Sequence, residues 1–244
     1  MLAMKGSPRM ASVFRVLAAS AYASLATATI SAQNGSAAVV HLIDTEVATR
    51  VENVLGFTDI EHYSVYRGDD EAHPAAEMTV RDTYKKGVGK TYTVLSESGS
   101  GIVIRFGLKP LLQNEQEINV PTKVDDSWFT SANYEMKLQP GGVEKKNGRD
   151  CYALEIKPKH EAPNMIDGTL WVDARDGSIV EIDGVASKKP SIFAGTTHMM
   201  RKYANIDGYP MATHARAESD SFLFGRTVVV INYSDYKLQL KTGK

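Results

Sequence analysis

Cysteine is almost missing: the 244-residue chain has one, Cys151. A single thiol excludes an internal disulfide and any cysteine-rich zinc or iron–sulfur site. Excess charge is missing too. Lys plus Arg is 28 against 29 Asp plus Glu, a formal net charge of -1, which argues against a nucleic-acid binder with its clustered positive charge. Long apolar runs are missing: the longest, Val16 to Ile30, falls short of the ~20 residues that a spanning helix needs. Hydrophobic residues at 43% and charged residues at 23% are near the globular average, so disorder is not expected either.

What the first 32 residues hold is a pattern of address. They contain no Asp or Glu, Lys5, Arg9 and Arg15 are basic, and VLAASAYASLATATI is followed by Ile30-Ser31-Ala32 before Gln33. A positive flank, an apolar run and a small-residue exit read as a secretory signal peptide. The expectation is a signal at 1–32, a single exported domain at 33–244 and a mature protein that is soluble and mildly acidic.

Residues 38–55 read as an amphipathic helix. Val40, Ile43, Val47, Val51 and Val54 recur at steps of three or four, Asp44, Glu46, Arg50 and Glu52 fill the polar side, and Gly56 follows as a stop. Strand writing begins near Asp59. Met78 and Val80 alternate with polar neighbours, as do Tyr134, Met136 and Leu138, and then Tyr152, Leu154 and Ile156. Tyr92 to Leu95 pairs back across a Lys85–Lys90 turn. Asn147-Gly148, Asp167-Gly168, Asp176-Gly177, Asp183-Gly184 and Asp207-Gly208 read as tight turns, because Asn-Gly and Asp-Gly supply positive φ. From about 134 to 236 the chain therefore reads as an antiparallel meander. Between 105 and 133, Leu111, Leu112, Glu115 and Ile118 suggest a helix opened by Pro110, with another at 124–133. Val228–Ile231 and Leu170–Val172 are apolar at consecutive positions, which implies sheet covered on both faces or curled around a hollow.

Catalytic patterns fail. Gly89-Lys90-Thr91 lacks the earlier glycine and following helix of a phosphate loop. Ser98 stands where a GxSxG elbow needs glycine. The six histidines form no HExxH pair, and Cys151 has no histidine near it in sequence. We expect no enzyme, cofactor, metal or nucleic-acid partner. An enzyme would need a cleft joining His198 or His214 to a carboxylate and a nucleophile.

Four blocks carry a family likeness: GTLWVDARDGSIVEIDGVASKKPS at 168–191, TSANYEMKL at 130–138, CYALEIKPK at 151–159 and FGRTVVVINYSDYKL at 224–238. Together they resemble outer-membrane lipoprotein-sorting proteins of the LolA/LolB type. The resemblance implies an α+β, mainly β fold: an unclosed antiparallel β-barrel, or curved sheet, with helices covering its concave face around an apolar cavity that holds acyl chains. It implies a periplasmic carrier of acylated lipoprotein or lipid, with membrane-protein donor and acceptor partners. Such carriers hold their lid with one barrel arginine; Arg67, Arg81, Arg201 and Arg226 are equal candidates here. Expected cavity residues are Met78, Val80, Met136, Leu138, Leu154, Ile156, Val229, Ile231 and Tyr233. Met199 and Met200 suit a loose fit, since thioethers adapt to varied shapes. The helix carrying Val40, Ile43, Val47, Val51 and Val54 is the expected lid, and Trp128 the mark of a second covering element. The alternative is a periplasmic sensor on the same fold that binds a protein partner through its surface.

Overall fold

The computed structural model describes residues 35–162, 165–188, 195–221 and 225–242. The signal-like segment 1–32 and parts of the 168–191 and 224–238 blocks lie outside the described residues. From Val39 onward the described residues form one compact unit.

Helix α1 covers residues 35–53. Ten strands follow: β1 (Val54–Arg67), β2 (Ala76–Lys85), β3 (Gly89–Gly99), β4 (Tyr134–Lys146), β5 (Arg149–Pro158), β6 (Ile166–Asp173), β7 (Ile179–Ala186), β8 (Thr197–Ile206), β9 (Tyr209–Ser221) and β10 (Gly225–Leu240). Between β3 and β4 lie α2 (Gly101–Val103), a π-helical stretch (Ile104–Leu108), α3 (Lys109–Ile118), α4 (Pro121–Val124) and a 3-10 turn (Asp125–Ser127).

The strands make one antiparallel sheet in the order β3-β2-β1-β10-β9-β8-β7-β6-β5-β4. Every neighbour is a hairpin partner except β1 and β10, which close the long-range link from Val54–Leu240 to Arg67–Thr227. The two edges, β3 and β4, are consecutive in the chain. The sheet is not closed, and the helical segment 101–127 is the connection that joins one edge to the other. The α+β class and the unclosed curved sheet implied by the family likeness are thus the observed architecture.

Two apolar cores hold the cover to the sheet. Under α1, Ile43 and Val47 meet Leu154, Ile156, Leu170, Val172 and Ile182. Under the 101–118 run, Ile104, Leu108 and Leu112 meet Tyr63, Val65, Met78 and Val80. The four-residue spacing of Val39, Ile43 and Val47 puts them on one helical face. Gly177 lets α1 come close: a Cβ there would lie 2.7 Å from the Leu42 backbone carbon. Asp44 ties the same helix to the 128–133 segment by accepting from the Ser131 amide (2.8 Å) and hydroxyl (2.6 Å).

Several expectations need correction. The first helix ends at residue 53; Val54 opens β1, and Gly56 lies within that strand. Asp167-Gly168 and Asp183-Gly184 are not turns but strand interiors, in β6 and β7. Gly168 faces Gly184 across the ladder, and a Cβ on Gly168 would sit 2.2 Å from the Asp183 carbonyl oxygen. These glycines serve a close backbone approach, which sequence spacing does not distinguish from a turn. Asn147-Gly148 and Asp207-Gly208 are turns, with positive φ at all four residues. The middle helix begins earlier than Pro110, at Gly101, where the Ser100 hydroxyl accepts from the Val103 amide. The short helical turns after it fill 121–127 rather than 124–133.

Consecutive apolar residues in β6 and β10 have covers of different kinds. In β10, Val229 and Ile231 pack toward the helical cover, while Val228 is fully buried. In β6, the Trp171 indole lies beneath the Lys146 ammonium, 3.9 Å from the ring centroid, and donates to Glu144. A cross-strand lid of long polar side chains covers the outer face there.

Candidate functional site

Between the two cores, on the inner face of the sheet, lies a cavity of about 790 Å³. α1 contributes Glu46, Val47 and Arg50 to its wall, the 101–118 run Ile102, Phe106, Leu108 and Leu111, and β7–β10 Ile182, Met199, Arg201, Met211, Val229 and Tyr233. Period-two alternation explains the selection: Met199, Arg201 and Tyr203 share one face of β8, as Val229 and Tyr233 share one face of β10. Ile102 and Phe106 line the cavity and are each 71% exposed, which places them at its mouth. Phe106 belongs to the π-helical stretch, a geometry found often at functional sites.

The expected cavity residues divide. Val229 and Tyr233 line the wall, with Met199 beside them. Met78 and Val80 lie in the core beneath the 101–118 run, with Ile231 packed on it. Leu154 and Ile156 lie in the core beneath α1, with Met136 and Leu138 packed on it. Of the expected lid residues, Val47 faces the cavity, Ile43 is wholly buried in the core, Val40 and Val51 pack at its margin, and Val54 belongs to β1. Trp128 lines the cavity and stacks under the Arg50 guanidinium, 4.9 Å from the ring centroid.

The four candidate arginines also separate. Arg67 and Arg201 line the cavity. Arg81 is exposed, and Arg226 holds Glu218 and Glu71, each at 2.6 Å. The histidines lie elsewhere: His198 pairs with Asp183 at 3.0 Å and His214 with Asn232 at 2.9 Å, both on positions that alternate away from the cavity-lining set.

Sequence reading missed a polar network in the inner face. Asp59, Glu61 and Asp82 are 2%, 1% and 0% exposed, with carboxylate oxygens all within 4.8 Å of one another. The Lys90 ammonium bridges Glu61 (3.0 Å) and Asp82 (3.1 Å), and the Tyr63 hydroxyl donates to Glu61. Three acids face one ammonium, so the surplus negative charge is relieved by protons. Burial, with the Glu61 charge, raises Asp59 to about 8; burial raises Asp82 to about 6 against the pull of Lys90. Burial opposes the charge on Lys90, but Glu61 and the other neighbours hold its pKa well above the usual value. The signal was present in the alternation: Asp59 and Glu61 share the parity of Tyr63 and Val65, and Asp82 that of Met78 and Val80. These acids are written on the apolar face.

Arg50 and Glu46 were also read as mere polar-face residues. Both line the cavity. Burial lowers the Arg50 pKa and raises Glu46 to about 7, although Arg50 draws Glu46 down. One oxygen of Glu46 and Nε of Arg50 are buried without a hydrogen-bond partner.

No family model matches the chain, and no curated protein matches it in sequence. Solved structures similar to it include a LolA-superfamily protein from Nitrosomonas europaea, at 13% identity and TM-score 0.45, covering 84% of this chain and 93% of that one. A DUF1329 family protein from Desulfovibrio piger has 18% identity and TM-score 0.44, with 85% and 95% covered. A domain from Vibrio parahaemolyticus described as an outer membrane lipoprotein-sorting protein has 14% identity and TM-score 0.46, with 82% and 92% covered. The LolA-type likeness read from the sequence blocks recurs in the names of two of these three structures.

Proposed function

We propose that this protein is an exported, periplasmic carrier that takes acyl chains of lipoproteins or lipids into the inner-face cavity and ferries them toward the outer membrane. The observation that supports the reading is the cavity of about 790 Å³, whose apolar wall includes Val47, Leu108, Leu111, Ile182, Met199, Met211 and Val229. That volume is within the ~300–1,000 Å³ of small-molecule sites. An acyl chain leaving a bilayer loses ~0.8 kcal/mol per methylene, about 13 kcal/mol for sixteen carbons, so a carrier must offer apolar walls in exchange. Two methionines in the wall, Met199 and Met211, suit a site that holds chains loosely enough to release them. No helix among the described residues is long and apolar enough to cross a membrane, and the acid-free, basic-flanked segment 1–32 supports export.

The test is titration of the purified, delipidated chain with an acyl probe whose emission rises in apolar surroundings. A saturable rise that competing sixteen-carbon chains reverse is expected, together with its loss in Val229→Asp, which puts a carboxylate in the wall. A sensor working through its surface would give no saturable rise, and Val229→Asp would leave its partner binding intact.

A further inference from the structure

Four arginines outside the cavity are held by acids. Arg149 and Arg175 both hold Asp173, at 2.9 and 3.2 Å. Arg216 holds Glu71 at 2.6 Å and Glu218 at 2.9 Å, and Arg226 holds the same two acids. Two arginines of the cavity wall, Arg50 and Arg201, depart from that pattern. Arg50 touches the Met211 thioether at 3.6 Å and the Trp128 ring, and its Nε is buried without a partner. Arg201 stands two residues before Tyr203 on β8, and both line the cavity. Among the described residues, no carboxylate lies within ion-pairing distance of either guanidinium. Met211, which Arg50 touches, pairs across the ladder with Ala204, three residues along β8 from Arg201, so both guanidiniums belong to one stretch of the cavity wall.

The acids nearby do not fill the role of counter-ion. Glu61 is engaged by Lys90 and Tyr63. Glu46, one turn before Arg50, attracts it, but burial raises that carboxyl to about 7 and the two form no ion pair. Glu115 on α3 acts on Arg201 only from beyond ion-pairing reach. A guanidinium taken from water without an anion is costly, and the cost falls when an anion arrives with matching acceptors. Arginine meets carboxylate and phosphate oxygens through a planar fork of donors.

We propose that the cavity selects amphiphiles with an acidic oxyanion head, a carboxylate or a phosphate, seated between Arg50 and Arg201 with the chain running along the apolar wall. This rests on the acyl-carrier reading and narrows it. A neutral alcohol or ester head leaves both guanidiniums unpaired in the complex, whereas an acidic head satisfies them.

The experiment compares palmitate, hexadecyl phosphate, hexadecanol and methyl palmitate as competitors of an uncharged fluorescent acyl probe on the full chain. Palmitate or hexadecyl phosphate, or both, binds on the order of tenfold or more tighter than the two neutral compounds, as charge-assisted hydrogen bonds would give. Whichever acid is tighter names the head, carboxylate or phosphate. Arg50→Gln with Arg201→Gln brings the acids down to the alcohol's level, and Arg201→Lys keeps part of the preference, as a purely structural arginine would not. If acidic and neutral compounds compete equally in the native chain, the head-group site is refuted while the apolar cavity stands. If none competes, the carrier reading fails and takes this proposal with it. The native-chain comparison decides even where the double variant does not fold.

Discussion

On the outer face of the sheet, Arg216 and Arg226 are locked to Glu71 and Glu218, Lys146 lies over Trp171, and His198 rests on Asp183. On the inner face, among the described residues, Arg50 and Arg201 form no ion pair with an acid, and both Asp59 carboxylate oxygens are buried without a hydrogen-bond partner. The same ten strands carry both faces, so the contrast is not one of fold. Exposed pairs hold long side chains in register and contribute little to stability. Buried, unpaired groups cost stability, and sites that trade stability for ligand contact are where such costs collect. The inner face has the signature of a surface kept ready for something else.

The contrast can be broken by substitution. The largest effect is expected in the dry core, which belongs to neither charged set. Leu154 is fully buried beneath α1 and does not line the cavity. Leu154→Ala should cost ~2–5 kcal/mol in chemical denaturation, yet leave acyl-probe affinity in the remaining folded protein close to native. A proportionate loss of probe binding would mean that core and cavity are one space.

A pH series sharpens the inner-face side. Asp59 rises from an ordinary 3.8 to about 8 in the folded chain. The folded state therefore keeps a proton that the unfolded state releases. This contribution to stability is whole below about pH 4 and is lost as pH rises toward about 8. Asp59→Asn should flatten that decline and be the more stable chain at pH 9, measured by thermal melting. A native chain whose melting temperature rises over this window, with Asp59→Asn following it, would show that Asp59 is ionised in the fold.

The smallest effect is expected outside. Arg216→Gln removes two short ion pairs from a half-exposed site, and its melting temperature should stay near native in moderate salt. A large drop would place the outer ladder, rather than the two apolar cores, at the centre of the fold's stability.

Much of this architecture was legible in the chain. Period-two writing in Tyr134–Leu138 and Tyr152–Ile156, with Asn147-Gly148 between, can form little but a hairpin. The stripe of Ile43 and Val47 is a helix that must cover something. Two things hid the rest. Asp167-Gly168 and Asp183-Gly184 have turn chemistry but sit opposite each other in a ladder, a fact held only in the register of β6 against β7. The division between core and cavity was hidden as well. Met78 and Val229 look alike in sequence, and only the path of residues 101–118 over the sheet buries the one and leaves the other open to the hollow. Arg50 was written on a polar helical face, and the curvature of the sheet turned that face toward the cavity.

The most direct measurement is native mass spectrometry of the protein purified from its native source, without detergent at any stage. The carrier account expects the chain to fly with added mass equal to one or more acyl-bearing molecules, and the Val229→Asp chain to fly bare. A native chain that flies bare in repeated preparations, and takes up no sixteen-carbon acid when supplied with it, would contradict the account.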